Sequence, residues 1–322
     1  MDKVNLKYTD LNVSRISFGT MTFGGQTDEA SARAMIDLCA DSGLNFLDTA
    51  NVYNLGASEE ILGRILQGRR KEFVLASKVR NKMGDGPNMS GLSRAAIFRA
   101  IDDSLRRLQT DYLDLYYLHL PDPAVPIEES LDAMNDLVKQ GKVRYLASSN
   151  YSGWQVVEML WLGERKGYAA PHVCQPMYNL IARGIEQEYL PMSKRFGISN
   201  VIYNPLAGGL LTGKQQRTAP IPGTRFDNNR LYLDRYWHGA DFDAVDQLKM
   251  IAAEAGRSLV SLALNWIYHH TPVECIILGS SRVDQLEENL RALSEGPLAP
   301  ETLQACDRVW ETLRGPIPNY NR

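Results

Sequence analysis

Cysteine is scarce in this chain, with four in 322 residues, and Cys39, Cys174, Cys275 and Cys306 share no metal-ligand or redox-motif spacing. That scatter excludes a disulfide scaffold and predicts a reduced, cytoplasmic protein. The five histidines make no metal site either: His172, His238, His269 and His270 lie apart from carboxylate or cysteine clusters and show no H-x-H or H-x-x-x-H spacing. A formal net charge of −3 leaves no basic footprint, so neither nucleic acid nor an anionic membrane is predicted as a partner. No apolar run approaches the ~18 residues of a membrane span. Met1-Asp2-Lys3-Val4 opens no secretory pattern. No G-x-G-x-x-G follows an early strand, which argues against a Rossmann domain. A Pro-, Gly- or Ser-rich linker is also missing, and residues 1–322 read as a single domain.

What the chain does contain is a regular alternation of short apolar runs with amphipathic stretches. Strands are predicted at 15–19, 44–48, 73–78, 112–118, 143–148, 172–176, 199–203 and 274–278. Helices are predicted at 28–42, 57–68, 93–107, 127–140, 152–166, 185–196, 259–270 and 283–294. Ser31, Ser58, Ser93 and Ser152 stand near helix starts, and Gly43, Gly141 and Gly167 just past helix ends. Eight βα units predict an α/β fold, a closed (β/α)₈ TIM barrel. Two segments break the repeat. Val4 to Val13, bent at Thr9-Asp10, reads as a β-hairpin at the barrel bottom, and the long stretch Ala207 to Asp241 after the seventh strand reads as a lid loop.

Four polar residues each stand where an apolar run ends or shortly after: Asp48, Tyr53, Lys78 and His119. Taken singly, each has a plain structural reading as a loop cap, a packed ring, a solvated rim lysine or a core histidine. Together, at the C-terminal ends of successive barrel strands, they make a proton-donating group. A phenol with pKa near 10 is a weak acid at neutral pH and improves when its anion is stabilised. Lys78 would stabilise the Tyr53 anion, Asp48 would keep the ammonium charged, and His119 would donate to a carbonyl oxygen or relay the proton.

With those residues in hand, the chain resembles the aldo-keto reductase superfamily, from Phe18-Gly19-Thr20-Met21-Thr22-Phe23-Gly24-Gly25-Gln26 to Gln285-Leu286-Glu287-Glu288-Asn289. The stretch from Gly43 through Asp48-Thr49-Ala50-Asn51-Val52-Tyr53 looks like the family's first signature, and its Asp-Tyr-Lys-His tetrad falls on Asp48, Tyr53, Lys78 and His119. Within the superfamily it is similar to the branch of aflatoxin-aldehyde reductases, aryl-alcohol dehydrogenases and potassium-channel β-subunits.

The resemblance implies NADPH as cofactor, with NADH a possible substitute. It places Ser149, Asn150 and Gln175 on the nicotinamide carboxamide, Tyr203 on its ring, and Thr20, Met21 and Asp48 among the cofactor contacts. Asn204-Pro205-Leu206 with Gly208, Lys214 and Arg225 resembles the segment that wraps the pyrophosphate. Ser281 and Arg282, at a helix start after the eighth strand, are the candidates for the 2′-phosphate, with Gln285, Glu288 and Asn289 on the adenine. One departure stands out: Gly279 occupies a position where many family members carry lysine.

The substrate would be a small carbonyl compound touching Tyr53 and His119, with Phe226, Tyr232 and Trp237 as an apolar wall. The same aromatics read equally well as rings that pin the loop. The sequence leaves the physiological substrate and the oligomeric state open. Reversible reduction of an aldehyde or ketone, with the proton from Tyr53, is the function expected. The alternative is a cofactor-binding regulatory subunit of the channel type. In those proteins asparagine replaces the family histidine, whereas here His119 is present.

Overall fold

The computed structural model describes residues 1–316. They divide into two compact units. The first comprises Met1–Pro176, Glu188–Ile202 and Glu274–Leu286; the second comprises Met177–Gln187, Tyr203–Val273 and the described residues from Glu287 on.

The first unit opens with an antiparallel hairpin, β1 (Lys3–Asn5) and β2 (Asn12–Ser14), in the register Val4 opposite Val13. Its apolar residues Leu6, Leu11 and Val13 are buried. Lys7 bonds Ser199 and Glu274, at the N-terminal ends of two barrel strands, so the hairpin caps the barrel bottom as predicted.

Eight parallel strands then close a barrel: β3 (Ile16–Gly19), β4 (Phe46–Asp48), β5 (Val74–Val79), β6 (Leu113–Leu118), β7 (Val143–Ser149), β8 (Val173–Gln175), β9 (Ser199–Ile202) and β10 (Cys275–Gly279), with β10 pairing back onto β3. Most of these strands are buried on both faces, as parallel strands under a helical layer must be. Asp114 inside β6 is tolerated because Arg70 and Arg144 reach its two oxygens at 2.8 and 2.7 Å.

The helices of this unit are α1 (Glu29–Asp41), α2 (Ala57–Ile65), α3 (Arg94–Leu108), α4 (Ile127–Lys139), α5 (Gly153–Lys166) and α6 (Tyr189–Arg195). Ser93 caps α3 and Ser152 closes a capping box with Gln155. Two predicted caps have other roles. The α1 cap is Asp28, accepting from the Ser31 amide, and Ser58 is a buried bridge between Thr20 and Thr49.

The second unit holds α7 (Arg230–Tyr236), α8 (Gly239–Glu254), α9 (Leu259–His270) and α11 (Pro300–Arg314); α10 (Val283–Leu293) begins in the first unit and ends in the second. The excursion after β9, expected as a loop, therefore contains helices, including a 3₁₀ turn at Ala207–Thr212. In α8, Asp241, Val245, Leu248 and Ala252 are buried at spacings of three and four. Small alanines dilute that stripe in the sequence. Among the described residues no helix is long and apolar enough to cross a membrane, and no group of three or more metal-binding side chains occurs. All four cysteines are buried and free.

Candidate active site

The barrel register brings the predicted residues to one rim. Asp48 ends β4 and sits opposite Gly19 and Ala76; Lys78 lies one residue before the end of β5, opposite Tyr117; His119 directly follows β6. Tyr53 comes from the 3₁₀ turn Tyr53–Gly56, where Asn54 and Leu55 both take left-handed φ, 49° and 53°. That turn is fixed by the Asn54 amide, which donates to the Phe23 and Met21 carbonyls at 2.7 and 3.1 Å. Asparagine is one of the few side chains at ease there.

Lys78 has an ammonium with three donors, and three acceptors face it. It donates to Asp48 Oδ1, to the Thr49 carbonyl at 2.8 Å and to the Tyr53 hydroxyl at 3.5 Å. Asp48 uses its second oxygen to accept from Gln175 Nε2 at 2.9 Å. Lys78 and Asp48 are fully or almost fully buried. Burial alone pulls the Lys78 pKa down, but the charge of Asp48 and the bonds to Asp48 and Tyr53 outweigh it, and the net shift is upward. The lysine thus stays charged beneath the phenol, a fixed positive support rather than a proton carrier.

His119 is shifted the other way. Burial first, then the charges of Lys78 and Arg80, pull its pKa down to about 3, so its imidazole is neutral at physiological pH. The Nδ1 atom lies 3.1 Å from the Asn81 amide nitrogen. That amide nitrogen can only donate, so Nδ1 accepts and the proton sits on Nε2. The ring meets Tyr53 edge-on, with centroids 6.2 Å apart.

Around this core the remaining first-unit candidates form a bonded rim. Ser149 donates to the Gln175 carbonyl at 2.9 Å, and Asn150, with φ 63°, donates to the His119 carbonyl at 2.8 Å. Thr20 is buried against Ser58 and the Asp48 backbone, while Met21 is exposed. Gly279 ends β10, and a Cβ there would meet no atom nearer than 4.0 Å. Beyond it, Ser280 and Ser281 offer carbonyls to Thr22 and Thr27, and Ser281 donates to Gln285. Arg282 is exposed and grips Asp284 with two nitrogens.

In the second unit, Asn204 takes a left-handed φ of 65° and accepts from the Gly208 amide at 3.2 Å. Pro205 and Leu206 lie in the same turn, Lys214 is exposed, and Tyr203 is partly buried, with Arg235 over its ring. Arg225 reaches the Tyr232 hydroxyl at 3.3 Å. Phe226 is completely buried, with Tyr232 and Trp237 at ring distances of 6.1 and 5.2 Å. These aromatics pack on one another within their unit. Glu288 is exposed and Asn289 buried on α10.

Two functional contacts escape a reading of the sequence. Asn81 fixes the His119 tautomer, and the Thr49 carbonyl takes the third proton of Lys78. Asn81 carried a signal, a polar residue three places after a strand-end lysine. A backbone carbonyl carries none.

With the geometry in place, the comparisons agree with it. The "Aldo/keto reductase family" model matches residues 15–311. Aflatoxin B1 aldehyde reductase member 2 of Rattus norvegicus is 37% identical over 319 residues, covering 94% of this chain and 86% of that protein. Aldo-keto reductase family 7 member A3 of Homo sapiens is 36% identical, covering 94% and 96%. A probable voltage-gated potassium channel subunit beta of Oryza sativa subsp. japonica is 37% identical over 322 residues, covering 96% of each chain. Matched across nearly its whole length, and folded as a closed parallel barrel, this chain belongs to the aldo/keto reductase family.

Proposed function

We propose that this protein reduces an aldehyde or ketone to the alcohol, reversibly, with NADPH as cofactor and Tyr53 as the proton donor. The observation that carries the reading is the position of a charged, buried Lys78 between Asp48 and the Tyr53 hydroxyl. The donor set also suits the cofactor: Ser149, Asn150 and Gln175 offer hydroxyl and amide groups for a carboxamide, and the open space at Gly279 and Gly209 leaves backbone exposed to a close ligand. When bound, NADPH supplies hydride from nicotinamide C4.

The chain's own groups handle the proton. Tyr53 gives its hydroxyl proton to the carbonyl oxygen, and Lys78 stabilises the phenolate left behind. His119, neutral and protonated on Nε2, donates a hydrogen bond to the same oxygen as negative charge develops. With a pKa near 3 it orients the substrate and does not supply the proton. Ser281 and Arg282 are the proposed 2′-phosphate contacts, and Tyr203, Asn204, Pro205, Leu206, Gly208, Lys214, Arg225, Gln285, Glu288 and Asn289 belong to the same proposed cofactor set. Residues 1–322 acting as one domain in the cytoplasm is part of this reading.

The test is turnover of a panel of aromatic and aliphatic aldehydes with NADPH, in wild type and Tyr53→Phe. We expect a loss of at least a hundredfold in kcat with NADPH affinity nearly unchanged, measured by fluorescence quenching. Undiminished turnover in the variant would remove Tyr53 as the acid. Tight NADPH binding with no turnover of any carbonyl by the wild type would favour a regulatory subunit, the reading suggested by the channel-subunit relatives.

A further inference from the structure

A cavity of about 300 Å³ opens beside the tetrad in the first unit, between the turn after β4, the end of β5 with the segment 80–91 that follows it, and α3. Two of its lining residues each carry a buried polar atom without a partner among the described residues. Asn51 is only 2% exposed, and its Oδ1 accepts from nothing among the described residues. The Nε of Arg80 is likewise buried without an acceptor, and its guanidinium makes no hydrogen bond or ion pair among the described residues. Buried polar atoms left unpaired are costly, and more so when charged, so two on one cavity wall call for a partner.

The other arginines on the wall each have a carboxylate partner, though two of them share one. Arg107 is held by Glu59, and Arg99 and Arg106 face Asp103. Arg80 is the one arginine of this wall without a carboxylate partner among the described residues. Its backbone sits at φ 142°, a strained conformation for a residue with a side chain, and its carbonyl is tied to the Gly91 amide across the segment. The volume is at the lower end of pockets that hold a small organic ligand.

We propose that this cavity is a binding site for a small hydroxylated anion, its carboxylate or phosphate group gripped by Arg80 and a ligand hydroxyl donating to Asn51 Oδ1. The donor and acceptor left unpaired in the protein are complementary to the two ends of such a molecule. Asn81 lines the same cavity and bonds His119, so the site adjoins the tetrad through one side chain. Arg80 also acts electrostatically on His119, which a bound anion would relieve.

Isothermal titration at fixed ionic strength, with glycerol 3-phosphate and with inorganic phosphate, tests the site without any assumption about turnover. Wild type is expected to bind glycerol 3-phosphate saturably and more tightly than phosphate. Arg80→Gln should weaken it at least tenfold. Ala100→Leu, which narrows the cavity from α3 and keeps Arg80, should do the same if the first variant fails to fold. Arg282→Ala should leave it unchanged. Equal binding by wild type and both cavity variants, loss confined to Arg282→Ala, or no saturable binding by wild type would each overturn the proposal.

A kinetic arm, which does rest on the reductase reading, identifies the source of the anion. If the anion is part of the substrate, Arg80→Gln raises KM for the phosphate ester of a short hydroxyaldehyde and not for the neutral aldehyde. If it is a separate ligand, glycerol 3-phosphate changes turnover of the neutral aldehyde in wild type and not in Arg80→Gln.

Discussion

Asn81 donates from its amide to Nδ1 of His119 at 3.1 Å, and this one contact decides which imidazole nitrogen carries the hydrogen. The nitrogen that remains, Nε2, is then the donor. Asn81 is a positioning residue under this view, since it acts through His119. Asn81→Ala should lower kcat about tenfold with little change in KM, and the ¹⁵N spectrum of the His119 ring should shift from one tautomer to a mixture. An unchanged ring spectrum would show that the tautomer is set elsewhere.

The depressed pKa of His119 makes stability depend on pH. In the folded chain the imidazole resists protonation down to about pH 3, whereas in the unfolded chain it takes a proton near 6.5. Between those values the unfolded state binds more protons, so stability rises with pH. The contribution is complete above pH 6.5 and is lost as pH falls toward 3. Urea unfolding of wild type and His119→Asn over that range should show a shallower slope in the variant.

Asp48 and Lys78 form a buried pair whose members are 3% and 0% exposed at their side chains. Removing one partner leaves a buried charge uncompensated, a loss of about 3–5 kcal/mol. Asp48→Ala should therefore lower the unfolding free energy by about that much, measured by urea titration. Asp48→Ala with Lys78→Met should recover part of it while remaining inactive.

Two guanidinium nitrogens of Arg282 hold exposed Asp284, an arrangement of little energetic worth in water. A phosphate would compete for that fork easily. Arg282→Ala is expected to weaken NADPH binding tenfold or more and NADH binding less than twofold, by fluorescence titration. Equal losses would mean that no 2′-phosphate is held there.

Much of the architecture was legible because parallel strands buried on both faces appear as short apolar runs. Phe46-Leu47-Asp48 and the run ending at Leu118 were bounded within a residue or two by that signal alone. Helices with a sharp apolar stripe, such as α3 and α4, were equally plain. The stretch 207–241 was not, because α7 is short and the stripe of α8 is blurred by alanine. Ser58 looked like a cap because composition near a helix start cannot distinguish a solvated hydroxyl from a buried bridge.

By itself, then, the sequence determined which residue types stand at the strand ends, and with them the family and the chemistry that Asp48, Tyr53, Lys78 and His119 suit. The protonation states and the hydrogen-bond partners belonged to the tertiary structure. A pKa depends on burial and on charges brought near by the closing of the barrel, so nothing local to His119 foretold its neutral ring or the amide of Asn81 beside it. The same holds for Arg80 and Asn51, ordinary in the chain and left unpaired only when the segment after β5 folds over their cavity.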